Sequence, residues 1–267
     1  MNKNVDTLLI ELTQKCNLNC QYCFYRDYGR KKEEITIEKL NNIISEYPNL
    51  KDIYLTGGEC TLANDFLGII KKASEQAKVT IFTNGILFAN KDYLNEVDKY
   101  ISKYIVTYDE YDDSYFCRDK IKETDAALKN IIEVSSQKLV VKICINRFNK
   151  DNLKNIIEYL ISIGVENLSL NVIHNIKNSD EHFEISKSEL KEIFGLLDLY
   201  QNMFDANYYE KLKAFFIEER KDLVKYCRAG NTFLYYNCLG NCFYCPAEYT
   251  EKKDCMNKEC ICLFEMF

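Results

Sequence analysis

The sequence predicts an α/β protein: a partial (β/α)6 TIM-like barrel with a small cysteine-rich C-terminal extension. Six short apolar runs alternate with amphipathic helix patterns as far as about residue 200 of the 267 residues. This alternation predicts parallel strands connected by right-handed helical crossovers. A closed barrel of eight such units takes about 250 residues, so six units of this size indicate an open barrel.

The six predicted strands comprise residues 8–13, 53–56, 79–83, 104–108, 139–145 and 168–173. In βα barrels the chemistry gathers at the carboxyl ends of the strands. Cysteines, glycines and polar residues follow these runs directly, among them Gly57-Gly58-Glu59 after the second run and Asn84-Gly85 after the third. These segments are therefore the candidate functional loops.

The predicted helices have apolar residues at helical spacing and recognisable end signals. The first has one apolar face behind a potential N-cap, Thr36, and residues 153–161 repeat that pattern ahead of Gly164. Ser186 and Glu189 have the spacing of a capping box for a later helix that reaches about residue 200. Residues 208–225 predict a further helix, which we expect to link the barrel to the C-terminal segment.

Cys16, Cys20 and Cys23 form a C-x3-C-x2-C pattern directly after the first predicted strand. Thiolate groups spaced in this way hold iron–sulfur cubanes. Three thiolates leave one of the four irons open to a substrate or cofactor. The alternative is a zinc site, although zinc sites usually close with four ligands from two separated pairs.

The cysteine loop and Gly57-Gly58-Glu59 together resemble the radical S-adenosylmethionine (SAM) superfamily. The resemblance implies a partial barrel and a [4Fe–4S] cluster whose open iron chelates the methionine part of SAM. It also implies a 5′-deoxyadenosyl radical that abstracts a hydrogen atom from substrate. Gly57 and Gly58 are expected to bring the backbone close to SAM, because no side chain intervenes. Glu59 is expected to accept a hydrogen bond from the SAM ammonium group.

The resemblance implies three further SAM contacts by position. Thr107 is expected to touch the ribose, although relatives usually have glycine where this chain has Glu110. Arg118 lies at the distance of an arginine that pairs with the SAM carboxylate, and its alternative role is a solvated surface charge. Asn146 follows the fifth predicted strand and either contacts SAM or shapes a turn.

Seven of the 13 cysteines lie in the last 41 residues. The spacing of Cys227, Gly240 and Cys245 resembles the opening of the auxiliary-cluster extensions called SPASM and twitch, which bind further [4Fe–4S] clusters. We expect one auxiliary cluster, with two as the alternative. Its expected ligands are Cys227, Cys245, Cys255 and Cys260, and Cys238, Cys242 and Cys262 are unranked candidates. A zinc knuckle built from Cys242, Cys245, Cys260 and Cys262 is the alternative metal site.

Three cysteines lie within the predicted barrel, outside the first motif. Cys60 and Cys144 are expected to be buried core residues. Cys117 follows the fourth predicted strand near the mouth of the barrel. Some radical SAM epimerases use a cysteine thiol to return a hydrogen atom to substrate, and Cys117 is a candidate for that role.

Composition limits the partners and the location of the protein. A net charge of −6 and a pI near 5.2 argue against nucleic acid as the main partner. No apolar run has the length of a membrane span, and no signal peptide is recognisable. The 13 cysteines then indicate metal ligands rather than disulfides, and we expect a cytoplasmic protein. The predicted domains are 1–205 (barrel), 206–226 (linking helix) and 227–267 (cysteine-rich module).

The expected reaction is modification of a ribosomally made peptide by crosslinking, thioether formation or epimerisation, because relatives with auxiliary clusters often act on such peptides. The first strand begins too early for a leader-binding domain to precede it, so a separate leader-peptide-binding protein is an expected partner. A flavodoxin- or ferredoxin-type protein is the expected electron donor. The alternatives are a twitch-type dehydrogenase that oxidises a small alcohol or aminocyclitol, and a non-catalytic iron–sulfur electron carrier.

Overall fold

Eight strands form one sheet in the computed structural model of the protein, which describes residues 4–23, 25, 30–110, 120–173, 183, 185–220, 223 and 227–246. The strands are β1 (Thr7–Thr13), β2 (Asp52–Gly57), β3 (Lys78–Thr83), β4 (Lys103–Thr107), β5 (Leu139–Ile145), β6 (Leu168–Val172), β7 (Phe233–Tyr236) and β8 (Cys242–Phe243). Strands β1 to β6 are parallel and pair in sequence order. The six predicted strands and the partial-barrel class are therefore confirmed.

Seven α-helices in the described part of the chain accompany these strands. They are α1 (Ile37–Ser45), α2 (Phe66–Ser74), α3 (Lys91–Val97), α4 (Ile121–Ser135), α5 (Leu153–Ser162), α6 (Lys187–Leu197) and α7 (Ala206–Phe216). The Thr36 hydroxyl caps α1 by accepting the Lys39 N–H at 3.2 Å. Ser186 and Glu189 form the predicted capping box at α6. Each cap satisfies backbone donors that the helix itself leaves unpaired.

Alternate residues of each strand point to opposite faces of the sheet. Residues such as Leu8 and Ile10 belong to the main core, which they share with the helices. The opposite face, here called the inner face, has a smaller cluster that includes Leu9 and Tyr235, with Tyr54 and Phe82 packed against it. The helices thus cover one face, and the inner face is left for other contacts.

The described C-terminal segment belongs to the same sheet as the barrel strands. β7 pairs in parallel with β1, from Thr7 opposite Phe233 to Ile10 opposite Tyr236. β8 then pairs antiparallel with β7. The sequence pattern did not predict this arrangement, because β7 is only four residues long. The domain boundaries proposed from sequence stay predictions.

Helix α7 is shorter than the pattern over residues 208–225 predicts. Asp205 caps its first turn by accepting the Tyr208 N–H at 2.9 Å. The helix ends at Phe216, and Glu219 has a φ of 56°, a left-handed conformation that cannot continue a right-handed helix. None of the described helices combines the length and the apolar character needed to cross a bilayer.

Candidate functional site

The three cysteines of the first motif lie in a loop that leaves β1 at its carboxyl end. Cys16, Cys20 and Cys23 are half-buried cysteines. The Leu18 N–H points at the Cys16 sulfur at 3.4 Å, and the Cys23 N–H donates to the Cys20 carbonyl at 3.1 Å. Backbone N–H groups of the loop itself therefore help to fix its shape, and the one directed at the Cys16 sulfur stabilises a thiolate there.

The ends of neighbouring strands hold this cysteine loop in place. The Asn84 amide, just after β3, donates to the Asn17 side chain at 2.7 Å and lies 3.9 Å from the Cys16 sulfur. The Lys120 ammonium, at the start of α4, donates to the Asn17 carbonyl at 3.0 Å. Asn84 thus binds the cysteine loop directly, a role that the sequence pattern of a tight turn did not predict.

Asp109 connects the same loop to the sheet. Its buried carboxylate accepts a hydrogen bond from the Tyr22 hydroxyl, between Cys20 and Cys23, and another from the Cys144 N–H at 2.5 Å. Because Cys144 lies in β5, this carboxylate fixes the far end of the cysteine loop to β5, four strands away from β1 in the sheet. Cys144 is buried, as predicted.

Gly57 and Gly58 are required by the packing of two backbone segments. The Gly58 N–H donates to the Thr13 carbonyl at 2.8 Å, and the Glu59 N–H donates to the Lys15 carbonyl at 2.7 Å. A Cβ at Gly58 would lie 2.5 Å from the carbonyl oxygens of Gln14 and Lys15. The glycines therefore let the loop after β2 pack on the start of the cysteine loop. Their contact with SAM stays a prediction.

Glu59 is buried and holds the ends of β2 and β3 together. Its Oε1 atom accepts from the Thr61 hydroxyl at 2.6 Å, the Thr61 N–H at 3.2 Å and the Thr83 hydroxyl at 2.7 Å. Its Oε2 atom accepts from the Asn84 N–H at 2.6 Å. A carboxylate has about four acceptor positions, so a SAM ammonium group would have to share or replace one of these donors.

Cys60 is buried, as predicted, and its thiol points at the Phe82 carbonyl at 3.2 Å. Burial, with a smaller contribution from the neighbouring Glu59 carboxylate, raises the pKa of the Cys60 thiol well above its ordinary value. A thiol that stays protonated is a poor metal ligand. Cys60 therefore acts as a core residue beside the site.

The inner face next to this site combines aromatic rings with one cation. The Tyr54 and Phe82 ring centroids are 6.1 Å apart. The Lys142 ammonium lies 5.2 Å from the Phe82 ring centroid, a cation–π distance. Lys142 pairs with Thr107 across β4 and β5. The predicted ribose contact, Thr107, and a cation that the sequence analysis missed thus occupy the same part of the sheet.

Asn146 is fully buried in the turn after β5. Its Oδ1 atom accepts the Phe148 N–H at 2.9 Å, and its amide nitrogen donates to the Cys144 carbonyl at 3.2 Å. These contacts favour the turn role, and the SAM contact stays a prediction. Cys117, Arg118, Cys255, Cys260 and Cys262 lie outside the described residues, so their predicted roles are not tested.

The described C-terminal cysteines point in different directions. Cys245 is buried in the inner-face cluster with Tyr235. Cys242, the first residue of β8, is exposed and lies beside the Tyr47–Tyr236 hydroxyl pair of the main core. Cys227 is half-buried at the edge of the main core. The zinc knuckle that pairs Cys242 with Cys245 would need both thiols on one side.

Glu11 and Cys238 are buried next to each other beside β1. The Tyr235 hydroxyl donates to Glu11 Oε2, and the Tyr25 hydroxyl and the Cys238 thiol are further hydrogen-bond partners of the Glu11 carboxylate. Burial and the neighbouring Glu11 carboxylate raise the pKa of Cys238 to about 12. Burial, together with Glu11 and Cys23, raises the pKa of Tyr25 well above its ordinary value. This group of buried residues therefore lies between the two cysteine groups.

Glu11 and Lys142 are the residues that the sequence analysis missed, and both had a recognisable signal. Each is a charged residue inside an apolar strand run, Leu-Leu-Ile-Glu-Leu and Val-Val-Lys-Ile. Charged side chains are rarely placed inside a buried strand without a partner. A charge in such a run therefore indicates a position that faces a functional cavity.

No three described side chains of His, Cys, Asp and Glu converge closely enough to bind one metal ion. A cubane differs in this respect, because each thiolate binds a separate iron. Three cysteines in one short loop, with the Leu18 N–H directed at the Cys16 sulfur, fit the donor set of a cubane with one open iron.

The family model described as the radical SAM superfamily matches residues 10–187. The chain belongs to this superfamily. Its members use a [4Fe–4S] cluster and SAM, so the predicted SAM-binding cluster, SAM itself and the radical SAM enzyme class are confirmed.

Individual proteins are also similar to this chain, in sequence or in fold. A probable GTP 3′,8-cyclase of Sulfurisphaera tokodaii is 26% identical over 78% of this chain and 70% of its own length. A GTP 3′,8-cyclase of Clostridium perfringens is 28% identical over 62% of this chain and 53% of its own length. Streptococcus suis SuiB bound to its precursor peptide SuiA matches with a TM-score of 0.75 at 15% identity. That match covers 98% of this chain and 65% of SuiB, and at this identity it shows the fold alone.

Proposed function

We propose that the protein is a radical SAM enzyme that modifies a ribosomally made peptide held over the inner face of the sheet. The observation that carries this proposal is the match to SuiB, which extends over nearly the whole chain, including the C-terminal segment. SuiB is a protein crystallised with a precursor peptide. The chain spans 65% of the length of SuiB.

The residues of the site divide into metal ligands and the groups that position them. Cys16, Cys20 and Cys23 would hold the cluster. When bound, the cluster and SAM supply a one-electron reductive cleavage that yields an organic radical able to abstract hydrogen. Asn84 and Asp109 hold the cysteine loop at two points, which fixes the ligands before any cofactor arrives.

The inner face suits a substrate with an apolar part and an anionic group. Tyr54 and Phe82 provide an apolar aromatic surface, and Lys142 places a positive charge over the Phe82 ring. An acidic peptide side chain or a phosphate would meet that charge in a partly desolvated position, where charge-assisted contacts are strong. This feature is compatible with a peptide and does not require one.

A nucleoside triphosphate is the second candidate substrate. The two curated relatives described above are named GTP 3′,8-cyclases. A phosphate group also fits the charge of Lys142. The small-alcohol dehydrogenase and the electron carrier stay alternative predictions without a specific observation that favours them.

The auxiliary cluster is proposed to involve Cys227 and Cys245, with Cys255 and Cys260 as further ligands. The spacing of Cys227 and Cys245 supports this assignment, as does the position of Cys245 in the inner-face cluster. Cys117 stays a candidate hydrogen-atom donor. A flavodoxin- or ferredoxin-type donor, a separate leader-binding protein and a cytoplasmic location also stay predictions.

Product analysis tests the proposed function. The protein, reconstituted with iron and sulfide without oxygen, is incubated with SAM, dithionite and either GTP or peptides encoded beside its gene. We expect 5′-deoxyadenosine in all reactions and a mass change only in a peptide. A new product from GTP would instead establish the second candidate. A protein that leaves SAM intact would contradict both.

A further inference from the structure

Lys120 occupies a position at the start of α4 where the backbone disfavours a lysine. Its φ and ψ angles are 62° and 41°, a left-handed conformation that only glycine, asparagine and aspartate adopt readily. A residue at the cap of a helix stabilises it by accepting a hydrogen bond from the first turn, which an ammonium group cannot do. A positive charge also meets the positive end of the helix dipole there. Local helix stability therefore does not explain this lysine.

A contact with the cysteine loop explains it instead. The Lys120 ammonium donates to the backbone carbonyl of Asn17 at 3.0 Å, one residue after Cys16. The same asparagine accepts a hydrogen bond from the Asn84 amide at 2.7 Å, so two elements of the fold hold this part of the loop. Unfavourable backbone conformations are concentrated at functional sites, where other contacts compensate for them. Lys120 therefore serves the cysteine loop rather than its own helix.

Arg30 binds the same loop at two other carbonyls. Its Nη1 atom donates to the carbonyl of Gln14 at 3.2 Å, and its Nη2 atom donates to the carbonyl of Leu18 at 3.4 Å. Among the residues that the structure describes, no carboxylate forms an ion pair with Arg30 or Lys120. Two positive charges that no described carboxylate balances are thus fixed to the segment around the first cysteine of the motif.

Such charges affect how readily a cluster in this loop would accept an electron. Reduction adds a negative charge to a cubane that already has thiolate ligands, and the reduction potential depends on the net charge and the hydrogen bonds around it. A nearby positive charge stabilises the reduced form more than the oxidised form. Both Arg30 and Lys120 are exposed, so water and salt weaken this effect and make it depend on ionic strength.

We propose that Lys120 and Arg30 are positioning residues that make the SAM cluster easier to reduce. They bind the carbonyls of the cysteine loop, which fix their charges close to the metal ligands. Because Lys120 is unfavourable for its own helix, its replacement should change cluster reduction and protein stability in opposite directions. The inference rests on the cluster of the proposed function, at Cys16, Cys20 and Cys23, and holds for either candidate substrate.

The test uses the Cys227→Ala/Cys245→Ala background, so that the auxiliary centre does not contribute to the spectra. The ratio of reduced to oxidised cluster is measured by EPR at a fixed potential, without SAM, in about 0.1 M and about 1 M KCl. Lys120→Asn removes the charge and fits the left-handed backbone, whereas Lys120→Arg keeps the charge. Lys103→Gln, at the exposed amino end of β4, is the matched control. Urea unfolding of the cofactor-free proteins measures stability.

In the low-salt buffer we expect Lys120→Asn to lower the ratio about threefold. Lys120→Asn/Arg30→Met should lower it about tenfold, which corresponds to about 59 mV for a one-electron couple. Lys120→Arg and Lys103→Gln should leave the ratio close to that of the background. The differences should shrink in the high-salt buffer. Cofactor-free Lys120→Asn should need at least as much urea to unfold as the background, because asparagine caps a helix and lysine does not.

An unchanged ratio in Lys120→Asn would overturn the proposal, even if its SAM affinity fell. A lower ratio that persists in high salt together with lower stability would also overturn it, because a purely structural role predicts that combination. If Lys120→Asn holds no cluster, Arg30→Met and Arg30→Lys repeat the comparison, and equal ratios in those two variants would count against the proposal in the same way.

The background protein separates this inference from the proposed function. If it takes up no iron at the three cysteines, or leaves SAM intact under dithionite, the proposed function itself is wrong. If its cluster cleaves SAM but has the same ratio with and without these charges, this inference alone is wrong.

Discussion

Replacing Glu59 with glutamine is expected to destabilise the protein. The carboxylate accepts four hydrogen bonds of 2.6 to 3.2 Å from Thr61, Thr83 and Asn84. A glutamine amide has one oxygen and one NH2 group, so it places a donor against the Asn84 N–H or against the Thr61 and Thr83 donors. At least one buried donor therefore loses its acceptor, and the remaining bonds lose the help of a charge.

The magnitude follows from these contacts. One unsatisfied buried donor costs about 1–3 kcal/mol, and hydrogen bonds to a charged group contribute about 1.5–3 kcal/mol each. Partial compensation by the amide oxygen reduces the expected loss to about 2–4 kcal/mol in the free energy of unfolding. For a chain of this size, each kcal/mol lowers the melting temperature by about 2–4 °C.

The assay is urea unfolding of the cofactor-free protein, followed by circular dichroism. Glu75→Gln is the control, because Glu75 pairs with Lys72 on an exposed helix surface and such pairs contribute about 0–1 kcal/mol. A Glu59→Gln protein within about 0.5 kcal/mol of the control would refute the assigned role, since that difference is smaller than one lost buried hydrogen bond. SAM affinity measured on the same variants separates the structural role from a direct contact.

Three further predictions concern the cysteine loop, the inner face and acid stability. Gly58→Ala should lower the iron retained by the SAM cluster at least twofold, because its Cβ would lie 2.5 Å from the Gln14 carbonyl oxygen; iron content equal to wild type would contradict this. Lys142→Met should raise KM for an anionic substrate at least tenfold and leave SAM cleavage without substrate unchanged. Lys142→Arg keeps the charge and should keep most of the substrate affinity. Equal KM values for the two variants would argue against an anion site. Hydrogen bonds from Lys213 and Tyr209 hold the pKa of Asp198 below its ordinary value. The stability that this carboxylate contributes is therefore fully present above the unfolded pKa of about 3.9. It is lost as the pH falls through the lower pKa of the folded protein. In urea unfolding measured from pH 5 to 2, the free energy of unfolding of Asp198→Asn should fall less steeply with pH than that of the wild type. An equal fall in the two proteins would contradict this role of Asp198.

The barrel strands and several helix ends were predictable because each depends on local signals. The strand runs are apolar and short, and the capping box of Ser186 and Glu189 is a local hydrogen-bond pattern. The pairing of β7 with β1 was not predictable in the same way. It joins segments far apart in sequence, and a four-residue strand has no periodicity long enough to recognise.

The candidate site was partly predictable for a similar reason. The cysteine spacing and the glycine pair are local motifs, so the sequence was enough to identify them. The donors around Glu59 come from two different strand ends, and the Tyr22–Asp109 contact joins residues from different loops. Only the fold brings those partners together, so sequence reasoning assigned Glu59 to a ligand and missed its part in the framework.

The pairing of β7 with β1 has a consequence for chains cut short before residue 233. Such a chain would present β1, a strand whose seven residues are all buried in the complete fold, as an open edge. Open apolar edges pair with other molecules and lead to aggregation. A minimal barrel that ends after α6 is therefore expected to aggregate. During synthesis, the edge of β1 stays open to other molecules until β7 has left the ribosome and paired with it.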